Sequence, residues 1–489
     1  MFNRLKLSVA ALALMAGTAM AQDSVTVGLV LEPPNLDPTS GAAAAIREVT
    51  QINIYEGLTR FGPDGSIHPL LAKSWDVTED GKVWTFHLNA GVKFHDGSTL
   101  DGEDVKFSLT RATAEGSTNA QKQLFANIDT IEVVDPLTVK ITMKKPTGNF
   151  DFNMAWGDAV IMGPESVATN ATNPVGTGAF KFVKWTKGDS IELAANPDYW
   201  GTKPALASAT FKIISDPTAA FNAMMTGEVD YFPNFPAPET LAQFQGNPDF
   251  QVLEGSTEGE TILAMNNKKA PLDNVKVRQA IAHAINRQEI IDGAMFGYGT
   301  PIGTHFAPHN PDYVDLTGLS AYDPAKTKAL LAEAGVAAPK LRLALPPPTY
   351  ARRGGEIIAA QLRAAGIETE ITNLEWAQWL EQVFKGKDFD LTIISHVEPA
   401  DINIYARPDY YFQYGKPEFV AIIDELAVTV DAAKRSALNK AAQEMIAKDY
   451  VNVYLFQLAK AGVAKAGLKG LWQNWPAPID DLTVMNWSK

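Results

Sequence analysis

Between Leu341 and Ser395 the chain alternates strand and helix patterns, and few architectures can absorb that order. Leu341–Leu345 is a short apolar run that ends at Pro346-Pro347-Pro348. Arg352–Ala365 has helical spacing, with Ile357, Ile358 and Leu362 on one face and Gly366 just past its end. Ile367–Thr372 reads as strand, Leu374–Phe384 as helix, and Phe389–Ser395 as strand again. A β-α-β-α-β order predicts parallel strands with helices over their faces, because each helix must carry the chain back to begin the next strand. The fold class is therefore α/β. In such sheets ligands sit outside the carboxyl ends of the strands. Pro346–Arg353, Thr372–Trp376 and His396–Arg407 leave three such ends and are expected to face one side.

The helical texture begins earlier. Asp273 is placed to cap a helix with Val277, Ile281, Ala284 and Ile285 on its apolar face, and Asp323-Pro324 opens another that Gly335 stops. Upstream of Met265 the pattern is mostly strand and turn. Val25–Leu31 is a first strand, and a helix is expected through Ile46, Val49 and Ile54, ending near Gly57. Val83–Leu88 alternates, with Trp84, Phe86 and Leu88 on one face. Asp135-Pro136 separates two strands of a hairpin, and Glu103–Ala114 is helical. The stretch from Tyr55 to Thr172 thus reads as an α+β lobe of its own.

The first residues do not belong to the fold. Arg4 and Lys6 precede an apolar run, Leu7–Met15, and Ala19-Met20-Ala21 is a small-x-small cleavage site. Residues 1–21 are expected to be a signal peptide removed before Gln22, the apolar run being too short to span a bilayer. Losing Arg4 and Lys6 takes the formal net charge from −14 to −16. That balance argues against nucleic acid, which needs a basic footprint. The chain has no cysteine, which excludes disulfides, thiolate metal sites, thiol nucleophiles and lipid attachment at a cysteine. An exported, soluble, monomeric protein is expected.

Chemistry that would mark an enzyme is sparse. Gly176-Thr177-Gly178 lacks the third glycine and the strand–turn–helix setting of a phosphate loop. His305 and His309 are four apart, but Pro308 between them opposes a shared helical face, so they read as loop histidines. With no histidine cluster in view a metal site is disfavoured, and no cofactor is called for. A secreted hydrolase using paired carboxylates stays open as the alternative, since such pairing is spatial.

The densest run of binding chemistry is Leu391–Tyr414. Glu398 and Asp401 would suit a cationic group, with Tyr405, Tyr410, Trp376 and Trp379 as aromatic walls. Arg352 or Arg407 would meet a carboxylate, and His396 sits at a strand end. Each has a plainer reading beside this one. Trp379 would equally pack its helix onto the sheet, the tyrosines would form a surface edge, and the carboxylates would cap the loop.

Several segments, in order, carry a resemblance. They include Tyr55-Glu56-Gly57-Leu58, Leu71–Trp75, Trp84–Leu88, Gly91–Gly97, Pro174–Gly178, Asn196–Trp200, Gly227–Asp230 and Val277–Ala280. As a set they resemble the family 5 extracellular solute-binding proteins of ABC importers, the dipeptide, oligopeptide and nickel-binding group. The resemblance implies a periplasmic-binding-protein fold of type II, two lobes with hinge strands plus an extra α+β domain. By that analogy lobe I takes 22–54, 173–262 and 467–489, the extra domain 55–172, and lobe II 263–466. It implies a peptide or other small solute trapped between the lobes and delivered to an inner-membrane permease. Glu375-Trp376 fits the family pattern, but two features depart from it. Aligned on Glu398-Pro399, serine stands where peptide binders keep an ammonium-holding aspartate, and Leu345 with three prolines precedes Ala351-Arg352-Arg353 in place of a carboxylate-binding arginine. Dipeptide recognition is therefore not carried over.

Overall fold

The computed structural model describes residues 22–41, 43–398 and 401–488; the expected signal peptide and Pro399 lie outside them. One mixed sheet runs through two lobes. Its strands lie in the order 368–373, 340–345, 391–396, 250–265, 452–465, 231–232, 24–29, 208–213, 190–195 and 180–186. Phe250–Met265 and Asn452–Lys465 are long enough to belong to both lobes. They pair antiparallel from Phe250↔Lys465 to Ser256↔Ala459 in lobe I and from Glu260↔Gln457 to Ala264↔Asn452 in lobe II. Between the two blocks Thr257, Glu258 and Gly259 stand opposite Leu458 alone. Extra residues on one strand break the ladder and bend it, which makes this bulge the natural hinge.

In lobe II the strands Lys340–Leu345, Glu368–Asn373 and Leu391–His396 are parallel, as the alternating pattern predicts. The inner strand Leu391–His396 is buried on both faces, whereas the edge strand Glu368–Asn373 is largely exposed and polar. Leu263 and Met265 pack with Leu343, Leu391, Ile393 and the helices 275–283, 287–295 and 349–364 on one side. Ile262 and Ala264 pack with Ile394, Trp379, Tyr405, Tyr411 and Phe412 on the other. The helix expected from Leu374 begins as Trp376–Trp379 and continues as a π-helical turn, Leu380–Lys385. The helix near Asp273 is capped by Asn274, whose side chain accepts from the Lys276 N–H. Asp323 caps its helix as expected, accepting from the Lys326 N–H.

The small domain is a four-stranded antiparallel sheet, 72–77, 83–88, 138–143 and 128–135, with helix Gly102–Thr113 on one face. Trp84, Phe86 and Leu88 alternate into its core with Val105, Leu109 and Phe150, and Phe94 joins them. The helix expected through Ile54 stops at Thr50. Ile52 adopts φ 68° and Asn53 turns inward, donating to Asp480 O at 2.8 Å and accepting from the Leu482 N–H at 3.1 Å. Every apolar residue from Ile52 to Tyr55 is buried, so three-dimensional burial, not helical periodicity, dictates the path.

Candidate functional site

A cleft of about 650 Å³ opens where the lobes, the hinge and the edge of the small domain meet. The hinge bulge exposes Thr257, Glu258 and Gly259 to it, lobe I contributes Arg47, Asn234 and Trp475, and lobe II contributes Tyr350 and Glu398. Trp156 closes one side. The strand-end logic accounts for the lobe II wall. Parallel strands deliver their carboxyl ends to one edge, and the proline run after Leu345 leads directly into helix Thr349–Ala364, placing Tyr350 in the cleft. The Tyr350 hydroxyl also accepts from the Ser395 N–H at 3.3 Å, tying the first strand end to the third.

Charge in the cleft is unevenly shared. Arg47 pairs with Asp158 at 3.4 Å, and burial lifts the Asp158 carboxyl to about 6 despite that guanidinium. Glu258 is held by His309 Nε2 at 2.5 Å, and His309 Nδ1 meets Ser256 Oγ at 2.6 Å. Glu398 is exposed in the cleft and accepts from the Val397 N–H at 3.2 Å. Glu260, fully inside the wall, has its carboxyl pushed far above the usual range by burial and then by Glu258, Asp401 and Glu398. Carboxylates crowd the lobe II side, and a cation there would relieve their mutual repulsion.

The sequence-predicted residues scatter into three groups. Glu398 lines the cleft. His396, Asp401 and Tyr405 converge behind it, joined by His305. The His305 Nε2 lies 2.7 Å from Asp401 Oδ1, His396 Nδ1 lies 3.6 Å from Asp401 Oδ2, and Tyr405 OH lies 3.2 Å from His305 Nδ1. Burial alone would raise the Asp401 carboxyl, but the two imidazoles hold it below the usual carboxylate range. Burial pushes the His305 imidazole down. The remaining five stand apart from the cleft lining. Trp379 is 4% exposed in the lobe II core, its indole donating to Thr392 Oγ1 at 2.9 Å. Trp376 packs edge-on against it and is 42% exposed. Arg352 pairs with Glu375 at 2.9 Å. Arg407 reaches Asn403 at 3.2 Å and lies over the Tyr410 ring, which is half-buried.

One expectation is corrected here. His305 and His309 lie on a loop as expected, each with its own partner, but His305 joins His396 and Asp401, so a histidine cluster exists. It escapes sequence reading because His305 follows the short strand Thr300–Pro301, which pairs with 452–465, whereas His396 ends strand 391–396 and Asp401 follows it some ninety positions on; the two regions meet through the strand order 452–465, 250–265 and 391–396. Arg47, Trp475 and Glu258 were likewise missed; nothing local in the sequence marks them. Tyr350 lay inside a segment already expected at the site.

Comparison with known proteins places this architecture. The model of the bacterial extracellular solute-binding proteins, family 5, matches residues 66–417. The chain belongs to that family. The glutathione-binding protein of Pectobacterium atrosepticum is 33% identical over 66% of this chain, and the match spans 63% of that relative's length. The nickel-binding periplasmic protein of Escherichia coli is 30% identical over 86% of both chains. Among solved structures, HbpA2 from Haemophilus parasuis superposes with a TM-score of 0.86 at 24% identity, covering 95% of this chain and 100% of that one. In this family fold the motifs read from the sequence are scaffold. Glu56 of Tyr-Glu-Gly-Leu accepts from Tyr199 OH at 2.7 Å, Trp200 Nε1 at 2.9 Å and Thr177 Oγ1 at 2.7 Å. Arg278 donates to Tyr450 O and Asp449 O at 2.9 Å each. Asp230 pairs with Lys465 at 2.6 Å. These motif residues lie outside the cleft lining.

Proposed function

We propose that this chain is the periplasmic solute-binding component of an ABC importer, exported as a monomer by its leader at 1–21. It captures a small organic solute, a peptide or amino-acid derivative with a cationic group, and delivers it to a membrane permease. The observation that carries this reading is the interlobe cleft, lined from both lobes and from the hinge bulge between them. A ligand touching both walls favours the closed form by the contacts that only closure makes. Glu398 would receive the ammonium or guanidinium, and Tyr350, Trp475 and Trp156 supply the apolar and aromatic surface that most small-molecule sites share. The family relatives named above, one a glutathione-binding and one a nickel-binding protein, support a binding role over the hydrolase reading.

The test is a thermal-shift screen of the mature protein against di- and tripeptides, glutathione and cationic amino-acid derivatives, followed by calorimetry. One ligand bound per chain with no product is expected. Glu398→Gln should weaken a cationic ligand by about tenfold or more, the scale of a charge-assisted contact. Conversion of any ligand to product, or unchanged affinity in the variant, would overturn the assignment.

A further inference from the structure

The cluster behind Glu398 lies outside the cleft lining, and it gathers ligating atoms closely. One ligating atom from each of His305, His396 and Asp401 lies within 4.8 Å of the others. Each imidazole has its other ring nitrogen held by a tyrosine. Tyr405 OH sits 3.2 Å from His305 Nδ1 and is anchored by Asn452 Nδ2 at 3.2 Å, while Tyr411 OH sits 3.2 Å from His396 Nε2. Such partners orient a metal-binding imidazole and fix which nitrogen it presents. His305 Nε2 and His396 Nδ1 are thereby left to converge on the two oxygens of Asp401.

A second observation points the same way. Glu260 is the cross-strand partner of His396, so both side chains leave the same face of the sheet. Glu260 is 3% exposed, and its Oε2 has no hydrogen-bond partner among the described residues. A buried carboxylate oxygen without a donor is costly unless a cation or proton meets it. No lysine or arginine pairs with Asp401 or Glu260 among the described ion pairs.

We propose that His305, His396 and Asp401 form a binding site for one divalent transition-metal ion in the lobe II wall of the cleft, with Glu260 as the carboxylate facing it. Two imidazoles and a carboxylate suit borderline ions such as Zn²⁺ or Co²⁺ rather than Mg²⁺ or Ca²⁺, which prefer all-oxygen shells. Metal–ligand distances of about 2.0–2.1 Å put tetrahedral donors roughly 3.4 Å apart. The 2.7 Å His305–Asp401 contact would open by under an ångström, and the widest spacing would close by little more. On binding, the ion takes the place of the direct contacts between Asp401 and the two imidazoles. Three protein donors leave a fourth position for water or Glu260.

Chelator-treated mature protein titrated with Zn²⁺ alone, and separately with Co²⁺, tests this. One Zn²⁺ per chain is expected, with intense visible bands for Co²⁺ in a four-coordinate site. His305→Gln and Asp401→Asn should each weaken Zn²⁺ at least a hundredfold, while His87→Gln on the small domain, where His87 faces Asp76, should not. Far-ultraviolet dichroism of each metal-free variant checks folding, and Asp401→Asn, which keeps size and hydrogen-bonding capacity, decides if His305→Gln does not fold. Absence of stoichiometric Zn²⁺ in the unsubstituted protein, or Zn²⁺ retained unchanged by Asp401→Asn, would overturn the site.

Discussion

Glu56 shows how a single buried acid ties distant parts of this chain together. It is 1% exposed, and burial raises its carboxyl to about 7 although Trp200, Tyr199 and Thr177 all donate to it. Because the folded value lies above the unfolded one near 4.5, folding favours the protonated acid. The associated stability is fully present below about 4.5 and is lost as pH rises through about 7, a change worth roughly 3 kcal/mol. Glu56→Gln can keep its oxygen toward Trp200 and Thr177 and donate its amide to Tyr199. It should therefore fold, and its stability relative to the unsubstituted protein should rise between pH 4.5 and 7.5, read by urea melts at each pH. A flat difference would show that Glu56 does not titrate in that window. Glu56→Leu strands three buried polar groups at roughly 1–3 kcal/mol each and should lower the melting temperature sharply at every pH.

At the scale of elements, close backbone approach matters more than propensity. The Pro174–Gly178 segment lies against Asn53–Tyr55, with the Gly178 N–H donating to Ile54 O at 2.9 Å and the Phe180 N–H to Asn53 O at 2.9 Å. A Cβ at Gly178 would stand 2.3 Å from Asn53 O, and one at Gly176 would stand 2.0 Å from Ile54 O. These are rigid backbone atoms, so accommodation requires the two segments to separate. Gly178→Ala should cost several kcal/mol, of the order seen for overpacking at about 1–3 kcal/mol or more. Chemical denaturation would report it, and a loss under 0.5 kcal/mol would mean that the segment yields easily. Elsewhere local signals and structure agree: the Asp101 capping box starts the small-domain helix, and Asp323-Pro324 starts the lobe II helix 324–333.

For the whole molecule the question is what holds the lobes together. The small domain touches lobe II at Gly148. The Gly148 N–H donates to Ala427 O at 3.0 Å, beside a lobe II turn that Arg435 Nη1 braces from within by donating to Leu426 O and Thr429 O at 3.0 Å each. A hinge rotation at Thr257–Gly259 must break or slide the Gly148 contact, since it spans the moving bodies. A Cβ at Gly148 would fall 1.9 Å from Thr429 O. Gly148→Val should therefore shift the population toward an open form. The radius of gyration in small-angle scattering should increase, and solute affinity should fall by about three- to tenfold through the smaller closed fraction. The thermal stability of the separate lobes should change little. Unchanged scattering and affinity would assign closure to the cleft contacts alone.

By itself the sequence determined the class of architecture and much of the order of elements, and it directed the expectation of a site to the carboxyl ends of the parallel strands. Those features depend on periodicity, caps and turns, which act within a few residues of their cause. It also marked Glu398, because a charged residue just past a buried strand has nowhere to go but the strand-end edge. The tertiary structure alone decided which polar residues meet. His305 reaches His396 and Asp401, Arg47 and Trp475 reach the cleft, and Trp379 turns into the core, because strand register and hinge crossing bring together positions up to several hundred residues apart. No local pattern encodes those distances, since each residue satisfies its neighbours in sequence equally well whichever partner the fold supplies.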